Sequence, residues 1–240
     1  MPGKLPQELT LSGLREARAN VAVVTGAGID VEAGLPSFRG DKGYYEDEEA
    51  TYLASVDALK AEPSRQWHWY LERFVSYHDT HPARSHFALA ELEAELGEKF
   101  LGVITQNISG LHRKAGSQKV FEIHGCIHEM RNLKTGERKT LPESWVESPP
   151  GDEELITWRP HVCFIGESYD CFPLPEAMEI CNNCDIMLVI GTSGVIHTPV
   201  WLAEEAQRSG AVVVNINPHP GKVDKVSNNN FRGDAAEYFQ

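Results

Sequence analysis

The 240-residue sequence predicts an α/β protein, with a parallel sheet, helices on both faces and a small inserted lobe. Short apolar runs alternate with helix-like stretches, an order that favours parallel strands joined by right-handed crossovers. Polar clusters follow four of those runs: TGAG, TQN, GTSG and NPHP. Because the carboxyl ends of parallel strands open into one crevice, this Rossmann-like arrangement predicts a ligand site of nucleotide size.

The apolar runs and their spacing define the predicted elements. Strands are expected at 21–24, 101–105, 120–123, 162–165, 186–190 and 212–216. Helices are expected over 6–19, 51–78, 86–96 and about 199–209. Residues 126–158 lack periodicity and are rich in turn residues and charge, which predicts a loop-rich insertion. We predict one domain over 1–240, with a large lobe from 1–40, 80–125 and 159–240 and a small lobe from 41–79 and 126–158.

The composition excludes several classes of protein. The net charge of −13, from 35 acidic and 22 basic residues, argues against binding to nucleic acid or to an anionic membrane. No apolar run approaches the length of a membrane span, and the first residues lack the apolar centre of a secretory signal. Five cysteines without framework spacing favour reduced thiols, so a cytoplasmic protein is expected.

The stretch VAVVTGAGIDVEAGLPSFRG, residues 21–40, is the strongest local signal. Gly26 and Gly28 directly follow a buried apolar run, where glycine allows a sharp turn and a close approach of backbone to ligand. Backbone N–H groups in such a turn suit a phosphate. The third glycine, Gly34, comes six residues after the second, so the standard G-x-G-x-x-G dinucleotide pattern is not met. From the glycines alone, a tight β–α turn without ligand stays an equal alternative.

The full string GAGIDVEAGLPSFRG resembles the signature of the sirtuins, which are NAD-dependent protein deacylases. Further blocks extend the resemblance over most of the chain: TQNISGLHRKAG (105–116), FEIHG (121–125), RPHVCFIGE (159–167), GTSG (191–194) and NINP (215–218). The resemblance implies a Rossmann-like fold, NAD as cofactor, and an acyl-lysine protein or peptide as the other substrate. It assigns NAD binding to Gly26, Ala27, Gly28, Glu32, Phe38, Arg39, Gln106, Asn107, Ser109, Gly191, Thr192, Ser193, Asn217 and Ala235.

Catalysis is assigned to His124 and Asn107. An amide side chain can hold ribose hydroxyls or a carboxamide through its paired donor and acceptor, and imidazole is a general base near neutral pH. A lone histidine is more often structural, and the chain has ten, so the choice of His124 rests on its match to the sirtuin FE-x-HG histidine. The resemblance implies that the acyl-lysine oxygen displaces nicotinamide from its ribose and that His124 takes a proton from a ribose hydroxyl. His112 also matches a family position and is expected to stabilise its loop.

The substrate residues are also assigned by resemblance. Val162, Gly166 and Glu167 match the segment that binds the substrate peptide as an added strand. Tyr70 and Arg73 share one helix face and resemble the Tyr-x-x-Arg pair of the sirtuin class that accepts succinyl-lysine and malonyl-lysine, where arginine would pair with the acyl carboxylate. The alternative, Arg73 in a surface ion pair with Glu72 or Glu62, is about equally favoured by the sequence.

Two features depart from the family pattern. The family binds a structural zinc with two C-x-x-C pairs, but here residues 127–158 contain no cysteine and Cys126 stands alone. The remaining C-x-x-C, Cys181–Cys184, is interpreted as two half-buried helix thiols, so we predict no metal site and no zinc. Ser109 replaces an aspartate that, by resemblance, contacts the nicotinamide carboxamide. A serine supplies no charge there, which predicts weaker NAD cleavage.

Three functions therefore stay open at this point. The first is an NAD-dependent lysine deacylase of the deacetylase or desuccinylase type. The second is an NAD hydrolase or ADP-ribosyltransferase of the same fold, and the third is a sensor that binds NAD or ADP-ribose without turnover. Because a sensor needs no base, the retained His124 and Asn107 argue against the third function.

Overall fold

The computed structural model describes residues 11–16, 19–36, 48–148 and 150–240. The strands are Val21–Thr25 (β1), Phe100–Thr105 (β2), Val120–Glu122 (β3), Gly125–Asn132 (β4), Arg138–Thr140 (β5), Trp158–Val162 (β6), Ile186–Ile190 (β7), Val212–Ile216 (β8) and Asn229–Phe231 (β9). The α-helices are Leu11–Glu16 (α1), Ala27–Val31 (α2), Glu48–Leu53 (α3), Val56–Ala61 (α4), Pro63–Asp79 (α5), Arg84–Leu96 (α6), Leu111–Lys114 (α7), Ser144–Glu147 (α8), Asp152–Leu155 (α9), Leu174–Asn183 (α10), His197–Arg208 (α11) and Ala235–Tyr238 (α12). Single 3₁₀ turns span Gly97–Lys99 and Lys222–Val226.

Within the described residues the large sheet has six strands in the order β3-β2-β1-β7-β8-β9. Every neighbouring pair in this sheet is parallel, which confirms the predicted α/β class. The strand order reverses at β1, because β2 and β3 extend the sheet on one side and β7 to β9 on the other. Such a reversal opens a crevice at the carboxyl ends of the two central strands. Thr25 and Ile190 are the paired last residues of β1 and β7, and they mark this crevice.

Both faces of the large sheet are buried. Val21 and Val23 point into one apolar cluster, which they share with leucines of α1 and α6. Ala22 and Val24 point into a second cluster, formed with residues of α10 and α11. Side chains alternate between faces along a strand, so a strand covered on both sides has to be apolar at every position. This is why the strongest apolar runs of the sequence are the central strands.

A smaller sheet in the described residues has the order β5-β4-β6 and is antiparallel. It packs with α5, α8 and α9 around a third apolar cluster rich in tryptophan. Trp67 on α5 lies in this cluster and donates its indole N–H to the carbonyl oxygens of Leu155 and Trp158, each at 2.7 Å. The buried indole thus has a polar partner as well as apolar neighbours, which fixes its position.

Two expectations about this region are wrong. The strand expected at 162–165 runs instead from Trp158 to Val162, and it pairs with β4 rather than with the parallel sheet. All five of its residues are buried, but Arg159, Pro160 and His161 are not apolar, so the apolar run that predicted the strand begins only at its last residue. The segment 126–158, expected to be loop-rich, contains most of β4 together with β5, α8 and α9. β4 mixes polar and apolar residues, and β5 is polar and exposed along its length, so neither strand appears as an apolar run.

The remaining elements fall near their predicted positions. The structure gives α6 at 84–96 and α11 at 197–208, each within two residues of the expected bounds. The described part of the N-terminal helix is α1, and β9 was not predicted from any apolar run. No helix among the described residues is both long enough and apolar enough to cross a membrane. The predicted lobe boundaries as a whole stay a prediction.

Candidate functional site

A cavity of about 810 Å³ lies where the central strands of the large sheet end. Its wall is formed by the residues that follow β1, β2, β7 and β8, and these contain the four polar clusters of the sequence. The other wall comes from α5 and from the segment after β6. Cavities of several hundred Å³ with a few convergent polar groups are typical ligand sites. The geometry therefore brings the clusters together at the edge that the parallel sheet requires.

The backbone after β1 touches the backbone after β7. Gly28 donates its N–H to the carbonyl of Gly191 at 2.8 Å, and Gly26 donates to Ile190 at 2.9 Å. A Cβ at Gly28 would lie 2.6 Å from the Gly191 Cα, and one at Gly191 would lie 2.7 Å from the Ile29 nitrogen. Gly191 also has φ +64°, a conformation that favours glycine. Glycine is thus required on both sides, and the cavity wall here is bare backbone.

His124 is placed as a neutral base. Its Nδ1 lies 2.9 Å from the carbonyl oxygen of Gln106, and because a carbonyl only accepts, Nδ1 carries the ring proton. The unprotonated Nε2 then accepts a hydrogen bond from the hydroxyl of Tyr169 at 3.0 Å. Burial lowers the pKa of His124 to about 4, although the bond to the Gln106 carbonyl opposes this. The imidazole is therefore uncharged at neutral pH, as a proton acceptor has to be.

Amide side chains brace the loops around the cavity. Asn107 donates through Nδ2 to the carbonyl of Gly26 at 3.0 Å, which joins the loop after β2 to the loop after β1. Asn217 donates to the carbonyl of Thr192 at 2.9 Å and joins the loops after β8 and β7 in the same way. Each bond crosses between neighbouring strands, so the loops are held as one surface rather than as separate segments.

A buried polar layer lies beneath the cavity. His112 contacts the hydroxyl of Thr25 at 2.9 Å, and burial holds its pKa well below the ordinary value. His86 lies 3.1 Å from a carboxylate oxygen of Asp30, and its ring centroid is 4.9 Å from that of His112. Glu32, on the cavity wall, accepts a hydrogen bond from the hydroxyl of Ser85. These contacts anchor the end of β1 and α2 from below.

The carboxylate of Glu167 is fully engaged within the protein. It pairs with Arg159 at 2.7 Å and with Arg131 at 2.9 Å, and it accepts the backbone N–H of Phe164 at 3.0 Å. Burial pushes the pKa of Glu167 upward, but the hydrogen bonds and charge of Arg159 outweigh this and hold it below the ordinary value. The side chain of Glu167 therefore fixes the segment that carries Gly166 on the cavity wall.

Tyr70 and Arg73 lie on α5 and line the opposite wall. The Arg73 guanidinium lies 4.0 Å above the ring of Trp69, and Tyr70 stacks on Phe164 with centroids 5.5 Å apart. The alternative of a surface ion pair is wrong, because Arg73 is only 6% exposed and Glu62 pairs with Arg65. Burial also raises the pKa of the Tyr70 hydroxyl, so it stays protonated and can donate a hydrogen bond.

Most of the predicted residues meet in this cavity. Those that line it are Gly26, Ala27, Gly28, Glu32, Tyr70, Arg73, Gln106, Asn107, His124, Val162, Gly166, Glu167, Gly191, Thr192, Ser193, Asn217 and Ala235. Ser109 instead borders a second cavity of about 350 Å³ beside His78 and His128. Phe38 and Arg39 lie outside the described residues. Sequence reasoning missed Tyr169 and Trp69. Tyr169 follows the matched IGE block by only two residues, and Trp69 precedes the Tyr-x-x-Arg pair.

The cysteines do not converge on a metal. Among the described residues no group of three or more His, Cys, Asp or Glu side chains is placed to hold a metal ion. Cys181 and Cys184 are buried at the end of α10, more deeply than the sequence predicts, and burial raises the pKa of each thiol to about 12. Metal binding needs thiolates, so these two thiols are poor ligands.

Comparison with known proteins gives consistent matches. The Sir2 family model matches residues 26–198. An NAD-dependent protein deacylase of Leptospira interrogans is 40% identical over 207 residues, which is 85% of this chain and 83% of the relative. NAD-dependent protein deacylase 2 of Pyrobaculum aerophilum is 36% identical over 235 residues, 95% of this chain and 92% of the relative.

Solved structures agree with these sequence matches. A Sir2 homologue variant in complex with ADP-ribose has a TM-score of 0.83 at 29% identity and covers 94% of this chain and 90% of that chain. A Sir2 structure with a p53 peptide and NAD⁺ has a TM-score of 0.79 at 29% identity, with coverage of 94% and 92%. Since the family match spans most of the sequence and the fold extends over nearly all of it, this chain belongs to the Sir2 family, the sirtuins.

Proposed function

We propose that this chain is an NAD-dependent protein-lysine deacylase, which releases nicotinamide and transfers the acyl group to ADP-ribose. One observation carries the proposal: a neutral, half-buried His124 lies in a cavity whose wall at the strand ends is bare glycine backbone. A base and an unobstructed backbone surface are what proton removal from a ribose and close contact with a dinucleotide require. Relatives named NAD-dependent protein deacylase, at 34–40% identity, support the same reaction.

The residues present fit NAD. Gly26 lines the cavity as bare backbone, and a Cβ there would lie 2.8 Å from the Thr192 Cβ, so a side chain would force apart the two loops that form this wall. Gln106, Asn107 and Asn217 place amide groups, which suit ribose hydroxyls, on the same wall. When bound, NAD supplies the electrophilic ribose carbon and the nicotinamide leaving group. Gly26 to Gly28 and Gly191 to Ser193 would hold its phosphate side, and Asn217 and Ala235 its adenosine side.

His124 acts at one atom in this proposal. Its Nε2 accepts the proton of a ribose hydroxyl, while the Gln106 carbonyl keeps the other ring nitrogen protonated and the ring oriented. Asn107, tied to the Gly26 carbonyl, holds the loop that faces the reacting ribose. Closure of the cavity over the reacting groups would exclude water, which directs the reaction to the acyl oxygen rather than to hydrolysis.

We also propose that the acyl pocket accepts acyl groups that carry a carboxylate. Arg73 is buried on the cavity wall with a protonated Tyr70 hydroxyl one helical turn away. A buried guanidinium with a neighbouring hydroxyl donor suits a carboxylate such as that of succinyl-lysine or malonyl-lysine. Arg73→Met is therefore expected to lower turnover of succinyl-lysine peptide at least tenfold more than turnover of acetyl-lysine peptide. Equal losses on both peptides would assign Arg73 to folding alone.

The peptide is proposed to bind along Val162 to Glu167 as an added strand. Glu167 anchors this segment through its two arginines, and Gly166 exposes backbone beside the cavity. No zinc is part of the proposal, since residues 127–158 contain no cysteine and the Cys181 and Cys184 thiols are buried and protonated. A cytoplasmic location and the absence of nucleic-acid or membrane partners are likewise proposed from the composition.

One assay tests the proposed function. The protein is incubated with NAD, with and without acetyl-lysine or succinyl-lysine peptide, and nicotinamide and acyl-ADP-ribose are followed by mass spectrometry. His124→Asn should abolish acyl transfer, whereas His81→Asn, at an exposed position outside the cavity, should not. Nicotinamide release that does not depend on peptide would assign an NAD hydrolase instead. Binding of NAD without any turnover by the unaltered protein would assign a sensor.

A further inference from the structure

The hydroxyl of Tyr169 is hydrogen-bonded to Nε2 of His124, the atom that accepts a proton in the proposed reaction. It contacts Nε2 of His124 at 3.0 Å, and the side chain lines the main cavity. We propose that Tyr169 is an internal latch: its phenol occupies the His124 lone pair, so ADP-ribose or NAD must displace it before the base can meet a ribose hydroxyl. This inference rests on the proposed function and adds a competing contact that the chain carries within itself.

The direction of each hydrogen bond follows from the acceptors. Nδ1 of His124 donates to the Gln106 carbonyl, so Nε2 has a lone pair and no proton. Tyr169 must then donate its phenolic hydrogen to Nε2. The same phenol oxygen lies 3.0 Å from the hydroxyl of Thr198. Because the phenolic hydrogen is already donated to His124, Thr198 is the donor in this second bond. Thr198, Tyr169 and His124 therefore form one directed chain that ends on the base.

His124 does not need Tyr169 for its orientation. The bond to Gln106 fixes the ring from one side, and the backbone on either side of His124 is held as well. Ile123 donates its N–H to Thr105, and the carbonyl of His124 accepts the N–H of Cys163 at 2.8 Å. Since the ring is oriented without the phenol, the bond from Tyr169 restricts the base more than it positions it.

The loop around Tyr169 allows the side chain to move while the backbone stays in place. On the N-terminal side of Tyr169, Glu167 is held by two arginines. On its C-terminal side, Phe172 is buried and stacks on His161 with ring centroids 5.0 Å apart. Phe172 also donates its N–H to the Tyr169 carbonyl at 2.9 Å. Tyr169 itself is half-buried and borders a cavity of about 810 Å³, so rotation of its side chain has room.

The size of the effect follows from the strength of one hydrogen bond. A neutral hydrogen bond changes an equilibrium by about two- to tenfold once exchange with water is counted. A ligand that must first break this bond has its apparent affinity lowered by the same factor. Tyr169→Phe removes the hydroxyl but keeps the ring, so it should tighten ADP-ribose binding by about two- to tenfold.

Calorimetric titration with ADP-ribose tests the latch. AMP is the control ligand, because it lacks the second ribose and should bind the Tyr169→Phe variant as it binds the unaltered protein. Tyr52→Phe is the control variant, since its hydroxyl donates to Glu62 and it does not line the cavity. Thr198→Val, which removes the donor to the latch, should tighten ADP-ribose binding less than Tyr169→Phe does.

A double variant separates the latch from a general change of structure. In a His124→Ala background the latch has no acceptor, so adding Tyr169→Phe should no longer tighten ADP-ribose binding. Unchanged or weaker ADP-ribose binding by Tyr169→Phe, or equal tightening of AMP, would overturn the latch. If Tyr169→Phe does not fold, the Thr198→Val result decides. If neither the unaltered protein nor Tyr169→Phe binds ADP-ribose, the proposed function is refuted as well.

Discussion

Gly28→Ala is the perturbation whose effect the structure defines most sharply. The added Cβ would lie 2.6 Å from the Cα and 2.8 Å from the carbonyl oxygen of Gly191. Carbon atoms in contact normally lie about 3.5–4.0 Å apart, so the overlap is about 1 Å. Both partners are backbone atoms in the central loops, and neither can rotate away. The turn after β1 must therefore separate from the turn after β7 and lose the bond from the Gly28 N–H to Gly191.

Overpacking of this kind costs about 1–3 kcal/mol of unfolding free energy. For a chain of this length each kcal/mol lowers the melting temperature by about 2–4 °C, so the expected loss is about 2–12 °C. ADP-ribose binding should weaken at least tenfold, because the displaced turn forms the cavity wall. Thermal unfolding followed by circular dichroism, together with titration of ADP-ribose, measures both effects.

Two other glycines supply matched controls. Gly151→Ala places a Cβ with no atom within 4 Å at φ −67°, so its unfolding free energy should change by less than about 0.5 kcal/mol. Gly34→Ala also meets no atom within 4 Å but has φ +91°, so it reports the conformational cost alone, about 1–2 kcal/mol. If Gly28→Ala has the same melting temperature as Gly151→Ala and binds ADP-ribose equally well, the close approach of the two loops is refuted.

Three further predictions concern charge and thiols. Glu167→Ala leaves two buried guanidiniums without their carboxylate and should lower the unfolding free energy by about 3–5 kcal/mol in urea titration; a loss below about 1 kcal/mol would contradict this. Burial lowers the pKa of His124 to about 4 and that of His161 to about 3, below the unfolded value of about 6.5. As the pH falls, the unfolded chain therefore takes up protons at these histidines before the folded chain does, so the unfolding free energy should be largest above about pH 6.5 and fall towards pH 4. An unfolding free energy that does not change over this range would contradict the lowered pKa values. Exposed Cys171 should react with iodoacetamide before buried Cys184, whose pKa burial raises to about 12, and peptide mass spectrometry reads the order.

Local patterns in the chain are enough to predict the class of fold and the edge of the sheet at which the cavity forms. A strand covered on both faces has to be apolar throughout, so β1 and β7 are visible as apolar runs. Loops that follow parallel strands must meet at one edge, which is why Gly26, Asn107 and Asn217 line one cavity. The apolar run of a buried strand and the residues that follow it are local features, so they can be identified directly in the sequence.

Which segments pair and which side chains meet depends on packing between distant parts of the chain. The apolar run at 162–165 predicts a strand of the parallel sheet, yet the strand is Trp158–Val162 and its partner is β4, because an apolar run indicates that a segment is covered and not by what. Arg73 could lie on a surface or in a pocket until the packing of α5 buried it on the cavity wall. The bond from Tyr169 to His124 joins residues 45 positions apart. No local pattern encodes such a contact, because it exists only once two separate loops are brought to the same edge of the sheet.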